Sequence, residues 1–319
     1  MTDMPNHEIN DVAPTSLAHI VGQRGVVEQV RVAIEAAFAD HRKFDHALLV
    51  GGPGLGKSQL ARVIAHEMAA DFTEVLGQSI TSAADLNALL LSQKEKSVCH
   101  VDECHELDKT YQTALYLALD KKQVFLQGRS RGPQSIPIAD FTLLLSTTDE
   151  YSLLQPLRDR MKLLLRFDFY STEDLTTLLR HRTSALRWGV EEAVFPLISQ
   201  RSRGTPRLAL RLLQSCRRVC RSEDRSTIML TDLERACALE GIDALGLGPT
   251  EQQYLRFLAE GSNRLNVLAS RLGLPARTVS HVVEPFLIRA GLVVKDDGGR
   301  RELTSLGRDH MANQRLFGV

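Results

Sequence analysis

The residues best suited to chemistry lie in Gly51-Gly52-Pro53-Gly54-Leu55-Gly56-Lys57-Ser58, a Gly-x4-Gly-Lys-Ser spacing suited to phosphate. Its glycines let consecutive backbone N–H groups turn inward toward phosphate oxygens, at a helix N-terminus whose partial positive charge favours anions. Lys57 would reach the β- and γ-phosphates of ATP, and the Ser58 hydroxyl would complete the coordination of Mg2+. A second stretch, Val98-Cys-His-Val-Asp-Glu103, is an apolar-leaning run that ends in two carboxylates. Asp102 would hold Mg2+ through water, and Glu103 would orient and deprotonate the attacking water, the role that separates hydrolysis from binding. His100 within that run reads as a core histidine with satisfied partners rather than a ligand. Ser146-Thr147-Thr148 ends a further apolar run; a Thr hydroxyl there could sense the γ-phosphate or simply follow strand propensity. Pro156-Leu-Arg-Asp-Arg160 reads as a short loop with two arginines, which suits a guanidinium acting on a transferring phosphoryl group and suits a surface ion pair equally. In Thr205-Pro206-Arg207 the Thr would cap a helix and the Pro would open it, placing Arg207 in a first turn whose dipole disfavours a cation. An arginine there invites an anion. Arg211, Arg218 and Arg221 continue the same helical face, as a solvated stripe does.

These residues need a frame that brings them together. The apolar run 47–50 reads as a buried strand feeding the glycine loop, and a helical pattern follows it from 58 to 70. Around them, amphipathic helices near 26–39, 83–91 and 109–118 alternate with strands 72–76, 98–101 and 141–146 and with a hairpin near 123–138. Such alternation implies an α/β domain with a largely parallel sheet and helices on both faces. In an open sheet of this kind ligands sit at the carboxyl ends of the strands, where the loop and both carboxylates would meet. Past Tyr170 the strands stop, and segments 173–186, 191–200, 205–221 and 231–240 read as an all-helical domain opened by the capping-box pattern Ser171-Thr-Glu-Asp174. The glycines of 241–249 mark a boundary. Helices at 250–260, 265–272 and 276–290, followed by two short strands around Asp296-Asp-Gly-Gly299, form the pattern of a winged helix-turn-helix. The expected organisation is a disordered lead at 1–16, an ATPase domain at 17–170, a helical domain at 171–243 and a winged helix domain at 244–319.

Composition restricts the class. A chain of 319 residues exceeds one ordinary core. No run approaches the roughly 18 apolar residues of a membrane span, and the polar start lacks the apolar core of a signal peptide, so a cytoplasmic location away from membranes is expected. Five cysteines with no CxxC pair indicate neither a disulfide framework nor a zinc site. Cys216 and Cys220, four apart, read as buried thiols. Lys plus Arg equals Asp plus Glu at 39 each, so any argument for nucleic acid must be local.

In this order the pieces resemble the AAA+ ATPases and, within them, the RuvB family of Holliday junction branch-migration motors. The likeness spans residues 17–311. It is carried by Ile20-Val-Gly-Gln23, the Gly51–Ser58 loop, Val101-Asp-Glu-Cys-His105, Phe141-Thr-Leu143, Thr147-Thr148, Pro156-Leu-Arg-Asp-Arg160, Phe169-Tyr170, Arg201-Ser-Arg-Gly-Thr-Pro-Arg207 and Glu284-Pro-Phe-Leu-Ile288. The resemblance implies an AAA+ P-loop core, a small helical lid and a C-terminal winged helix domain. It implies a nucleotide held against Ile20, Val21, the loop from Gly51 to Ser58, Gln59, Tyr170 and Arg207, with Ser58 and Asp102 on the metal. Thr148 would be sensor 1, Arg160 an arginine finger acting on the neighbouring subunit, and Arg207 sensor 2. A finger acting in trans implies a ring, for this family a homohexamer around duplex DNA. The hairpin near 123–138 would dock the family's junction-binding partner, RuvA, and Lys295 and Arg300 fall where the family has arginines that touch DNA phosphates. Three features depart from the family pattern. Ala13-Pro14 replaces its Arg-Pro, Asp296 and Asp297 make the wing less basic, and Gly128-Arg-Ser-Arg-Gly-Pro133 makes the hairpin tip arginine-rich. The leading expectation is an ATP-driven translocase on branched DNA. A paralogue that remodels or loads a protein partner and an ATP-switched DNA-binding regulator are its competitors, separable by whether DNA stimulates turnover.

Overall fold

The computed structural model describes Ile9 and residues 12–126 and 134–316. The chain divides into two compact units, residues 1–187 with 204–210 and residues 188–203 with 211–319.

In the first unit α1 (Arg24–Ala39), β1 (Ala47–Val50), α2 (Lys57–Glu67), β2 (Phe72–Leu76), α3 (Ala83–Leu91), β3 (Val98–Asp102) and α4 (Lys109–Lys121) follow the predicted alternation. The hairpin β4 (Gln123–Leu126) and β5 (Gln134–Pro137) comes next, then β6 (Thr142–Thr147), α5 (Gln155–Arg158), β7 (Leu163–Arg166) and α6 (Thr172–Ala185). Five strands form one sheet in the order β2-β3-β6-β1-β7, every pairing parallel. Both faces are covered, which is why β1 and β6 are continuous apolar runs. Leu48, Val101, Leu143 and Leu145 face a cluster with Leu90 of α3 and Leu115 of α4. Their alternating neighbours Ala47, Leu49 and Leu144 pack with Ile34 of α1 and Leu60 and Ile64 of α2. Three helix starts carry side-chain caps: Ser82, Asp108 and Ser171 accept the backbone N–H of Asp85, Thr110 and Asp174, the last as the capping-box pattern predicts.

Several expectations need correction. The 156–160 stretch is not a loop: Pro156 sits in the first turn of α5, where its fixed φ is suited to helix entry. β7, which is not among the strands the pattern predicts, is the edge strand beside β1. Part of the expected disordered lead is built into the unit, since Ile9 is buried and accepts a hydrogen bond from Arg182, and Pro14 accepts one from Gln59.

The second unit holds β8 (Gly189–Val190), α7 (Val194–Arg201), most of α8 (Pro206–Ser222), β9 (Thr227–Ile228) and α9 (Leu230–Glu240). Strands therefore do not stop at Tyr170: β8 and β9 make a short parallel pair, too brief to leave an alternating pattern. The winged part contains α10 (Pro249–Ala259), β10 (Asn263–Arg264), α11 (Leu265–Leu272), α12 (Ala276–Thr278), a π turn at Val279–Val283, α13 (Glu284–Arg289), β11 (Val293–Lys295), β12 (Arg300–Leu303) and α14 (Ser305–Leu316). The single helix expected at 276–290 is thus interrupted before Pro285, whose missing N–H and ring disrupt an α ladder. β10 adds a third strand to the expected hairpin, and α14 adds a helix. The Arg301 guanidinium is buried and donates to both carboxylate oxygens of Glu284, and the Tyr254 hydroxyl donates to the same carboxylate.

Candidate functional site

The sheet register places the ends of three strands level. Val50 pairs with Thr147, and β3 ends one residue beyond Val101, which pairs with Leu145. The loop after β1, the carboxylates after β3 and the threonines after β6 therefore open into one cleft of about 920 Å³ within the first unit. Gly54 and Gly56 adopt left-handed φ values of 76° and 100°. At Gly54 a Cβ would stand 2.8 Å from Arg207 Cβ and 3.0 Å from Thr205 Cγ2, so the absence of a side chain lets the first turn of α8 close over the loop.

Lys57 Nζ donates to the Gly51 and Gly52 carbonyls at 2.7 and 2.9 Å. Burial lowers its proton affinity, Arg207 adds to the lowering, and Asp102 opposes both. A buried ammonium between a backbone cradle and two carboxylates is poised to receive anionic oxygens. The Ser58 hydroxyl donates to Asp102 Oδ2 at 2.7 Å, and the Glu103 N–H donates to Asp102 Oδ1 at 2.9 Å. Burial works to raise the Asp102 carboxyl, but the Ser58 bond, the nearby His100 and the Glu103 N–H together prevail and hold it below its ordinary range. A hydroxyl and an ionised carboxylate in contact form a hard-oxygen pair suited to Mg2+. Glu103 stands in the left-handed region at φ 49°. For a non-glycine residue that conformation is costly, and here it turns the side chain into the cleft.

Of the residues singled out in the sequence, Ile20, Val21, Pro53, Gly54, Gly56, Lys57, Ser58, Gln59, Asp102, Glu103, Thr148, Tyr170 and Arg207 all line this cleft. Thr147 lines it too, but its buried hydroxyl accepts from the Asp149 N–H, leaving Thr148 the exposed one. The Tyr170 hydroxyl lies 3.5 Å from the Leu55 carbonyl, and burial pushes the phenol up to about 12. Gly51, Gly52 and Leu55 do not line the cleft. A Cβ at Gly51 would meet Phe167, and the Leu55 side chain is buried in the core, so these positions contribute backbone only. Arg160 stands outside the cleft. Its guanidinium makes a two-pronged bond to Asp120, at 2.9 and 2.6 Å, and lies over the Tyr116 ring.

Further residues reach the cleft from outside these motifs. Val12, Ala13, Pro14 and Thr15 line it, as do Leu178, His181 and Arg182 of α6. His181 and Arg182 were legible only as part of a helical face. Among the described residues no cluster of His, Cys, Asp or Glu forms a separate metal site, and Cys216 and Cys220 are buried thiols.

In the second unit Arg211 and Arg218 both reach Glu240, at 3.6 and 3.7 Å, so two arginines of the stripe share one carboxylate. On the wing Lys295 is exposed, while Arg300 donates to the Ser262 hydroxyl and carbonyl. Asp296 accepts the Arg300 N–H at 2.7 Å and so closes the wing turn. The hairpin strands β4 and β5 expose Phe125 and Ile136; the arginine-rich tip lies outside the described residues.

Comparison with known proteins follows the same division. Residues 12–167 match the model described as the Holliday junction DNA helicase RuvB P-loop domain, residues 170–243 the RuvB AAA lid domain, and residues 244–312 the RuvB C-terminal winged helix domain. A Holliday junction branch migration complex subunit RuvB from Kosmotoga olearia is 34% identical over 313 residues, 96% of this chain and 91% of that protein. The subunit of the same name from a Wolbachia of Brugia malayi is 33% identical over 95% of this chain and 94% of its own length. The solved structure of the Thermotoga maritima RuvB Holliday junction branch migration motor superposes with a TM-score of 0.83 at 33% identity, covering 94% of this chain and 97% of that one.

Proposed function

Because this chain belongs to the RuvB family of AAA+ ATPases, we propose that it is an ATP-hydrolysing ring motor that translocates duplex DNA and drives branch migration of Holliday junctions. The observation that carries the reading is the single cleft in which Lys57, Ser58, Asp102, Glu103, Thr148 and Arg207 converge. Bound ATP with Mg2+ would supply an activated phosphoanhydride. Toward it, the loop N–H groups and Lys57 bind phosphate oxygens, while Ser58 and Asp102 hold the metal. Glu103 accepts the proton of the attacking water, and Thr148 orients that water or the terminal phosphate. Arg207 senses the same phosphate from the start of α8.

Arg160 acts in the cleft of the neighbouring subunit of a homohexamer, a role supported by its position outside its own cleft. The wing, through Lys295 and Arg300, contacts the phosphates of double-stranded and branched DNA. The β4–β5 hairpin, with exposed Phe125 and Ile136, is the surface for a RuvA-like junction-binding protein. The test is the steady-state ATPase rate with and without four-way-junction DNA, with Glu103→Gln as the blank. A large rise with DNA is expected. A measurable rate that ignores DNA would overturn the motor and favour remodelling of a protein partner.

A further inference from the structure

Lys57, Ser58, Asp102 and Glu103 gather at the phosphate-loop end of the cleft, so a nucleotide held there by its phosphates places its nucleoside in the remaining lobe. Two segments build much of that lobe. Leu178, His181, Arg182 and Ala185 fall on one face of α6 by helical spacing, and Val12 to Thr15 come from the segment before α1. Gln59 donates to the Pro14 carbonyl at 3.0 Å, and Arg182 Nη1 donates to the Ile9 carbonyl at 3.2 Å, so this segment is tied to α2 and to α6. Val12, Ala13, Pro14, Leu178 and Ala185 make the lobe largely apolar. The carboxylates that line the cleft, Asp102 and Glu103, stand with Lys57 at its other end.

Arg182 does not fit the chemistry of this lobe. Among the described residues the Ile9 carbonyl is its one hydrogen-bond partner, and no carboxylate pairs with it. Burial draws its proton affinity down, and no neighbouring charge opposes the effect. A guanidinium in partial burial costs free energy until its N–H groups find acceptors, and those left over open on the cleft. Tying down the backbone does not call for a cation: a neutral amide does the same work where Gln59 holds Pro14. Arginine presents donors only, in a planar fork whose parallel N–H groups match two adjacent acceptors. A 6-oxopurine carries such an edge in O6 and N7, whereas adenine sets a 6-amino donor beside N7.

We infer that Arg182 sets the base preference of the cleft: by donating to the O6 and N7 edge it admits 6-oxopurine nucleotides, of the inosine and guanosine type, alongside ATP. The inference rests on the nucleotide-site reading above and gives that site a second substrate class. Its test is the affinity of the full chain for ADP and for IDP, measured by calorimetry with Mg2+. The two ligands share phosphates and ribose and differ only where a 6-oxo group and an N1 proton replace the 6-amino group, so the ratio of affinities isolates the base edge. IDP should bind at least as tightly as ADP. In Arg182→Met the affinity for IDP relative to ADP should fall on the order of tenfold. Arg182→Lys keeps the cation without the planar fork and should lower the ratio as well, which keeps the test open if Arg182→Met fails to fold. A chain that binds neither nucleotide would sink the nucleotide-site reading itself. With ADP bound, two results would overturn the role of Arg182. One is IDP weaker than ADP in the unaltered chain. The other is a ratio unchanged in the variants, as a contact to the shared ribose or a purely structural tie to Ile9 would give.

Discussion

Lys57 and Glu103 divide the labour of the cleft between binding and turnover. With its ammonium on the Gly51 and Gly52 carbonyls, Lys57 closes the loop from within, and phosphate replaces one set of acceptors by another. Glu103 makes no such bond for the loop. Replacing Glu103 by Gln should therefore leave ADP affinity within about twofold while lowering the hydrolysis rate by about a hundredfold or more, the range of a lost general base. Equilibrium binding and steady-state turnover on the same preparation separate the two. Arg160 makes a different prediction, because its partners Asp120 and Tyr116 lie on its own chain, outside the cleft. Arg160→Ala should be inactive alone, yet mixed with Glu103→Gln subunits it should recover part of the rate through pockets that combine an intact Glu103 with a neighbour's Arg160. A mixture no more active than either variant would count against action in trans. At this scale the phosphate loop and the two carboxylates were legible because their chemistry depends on adjacent residues. His181 and Arg182 were not, because only the packing of distant segments brings them to the cleft.

Elements were legible in proportion to the length and regularity of their pattern. β1, β3 and β6, buried on both faces, announce themselves as apolar runs. β7 is equally apolar over Leu163 to Leu165 but is short and follows the polar turn of α5 closely, and the pattern predicts no separate strand there. The π turn at Val279–Val283 is invisible because its residues suit an α-helix, and only Pro285 hints at the break. Gly54 shows what an element junction demands. Gly54→Ala would set a methyl against Arg207 and Thr205 in a left-handed conformation, so it should weaken nucleotide binding more than a similar change at Gly25, where a Cβ meets nothing. The wing offers the test of the nucleic-acid face. Lys295 and Arg300 changed together to Ala should lower affinity for duplex DNA and make its dependence on salt concentration shallower by about two counterions. The same slope in both proteins would remove the wing from the interface.

At the scale of the whole molecule, stability should depend on pH through histidines that fold neutral. Burial pushes His46 down to about 4, and its Nδ1 accepts the Leu143 N–H at 2.8 Å, tying the approach to β1 to β6. The unfolded chain binds that proton more readily, so the stability it contributes is complete above about pH 6.5 and is lost as pH falls toward 4. The slope for one such group approaches about 1.4 kcal/mol per pH unit, and denaturant melts at pH 7, 6 and 5 should show it. His46→Gln, which offers an acceptor without titrating, should flatten that slope. The winged domain carries a constraint of another kind. Glu284 and Arg301 are both buried, joined to each other and to Tyr254, so removing either leaves a lone charge in a dry interior, at about 3–5 kcal/mol. Single-step drift at either position is therefore closed to a marginally stable domain. The two residues form one heritable unit, and among descendants of this chain they should be kept together or lost together.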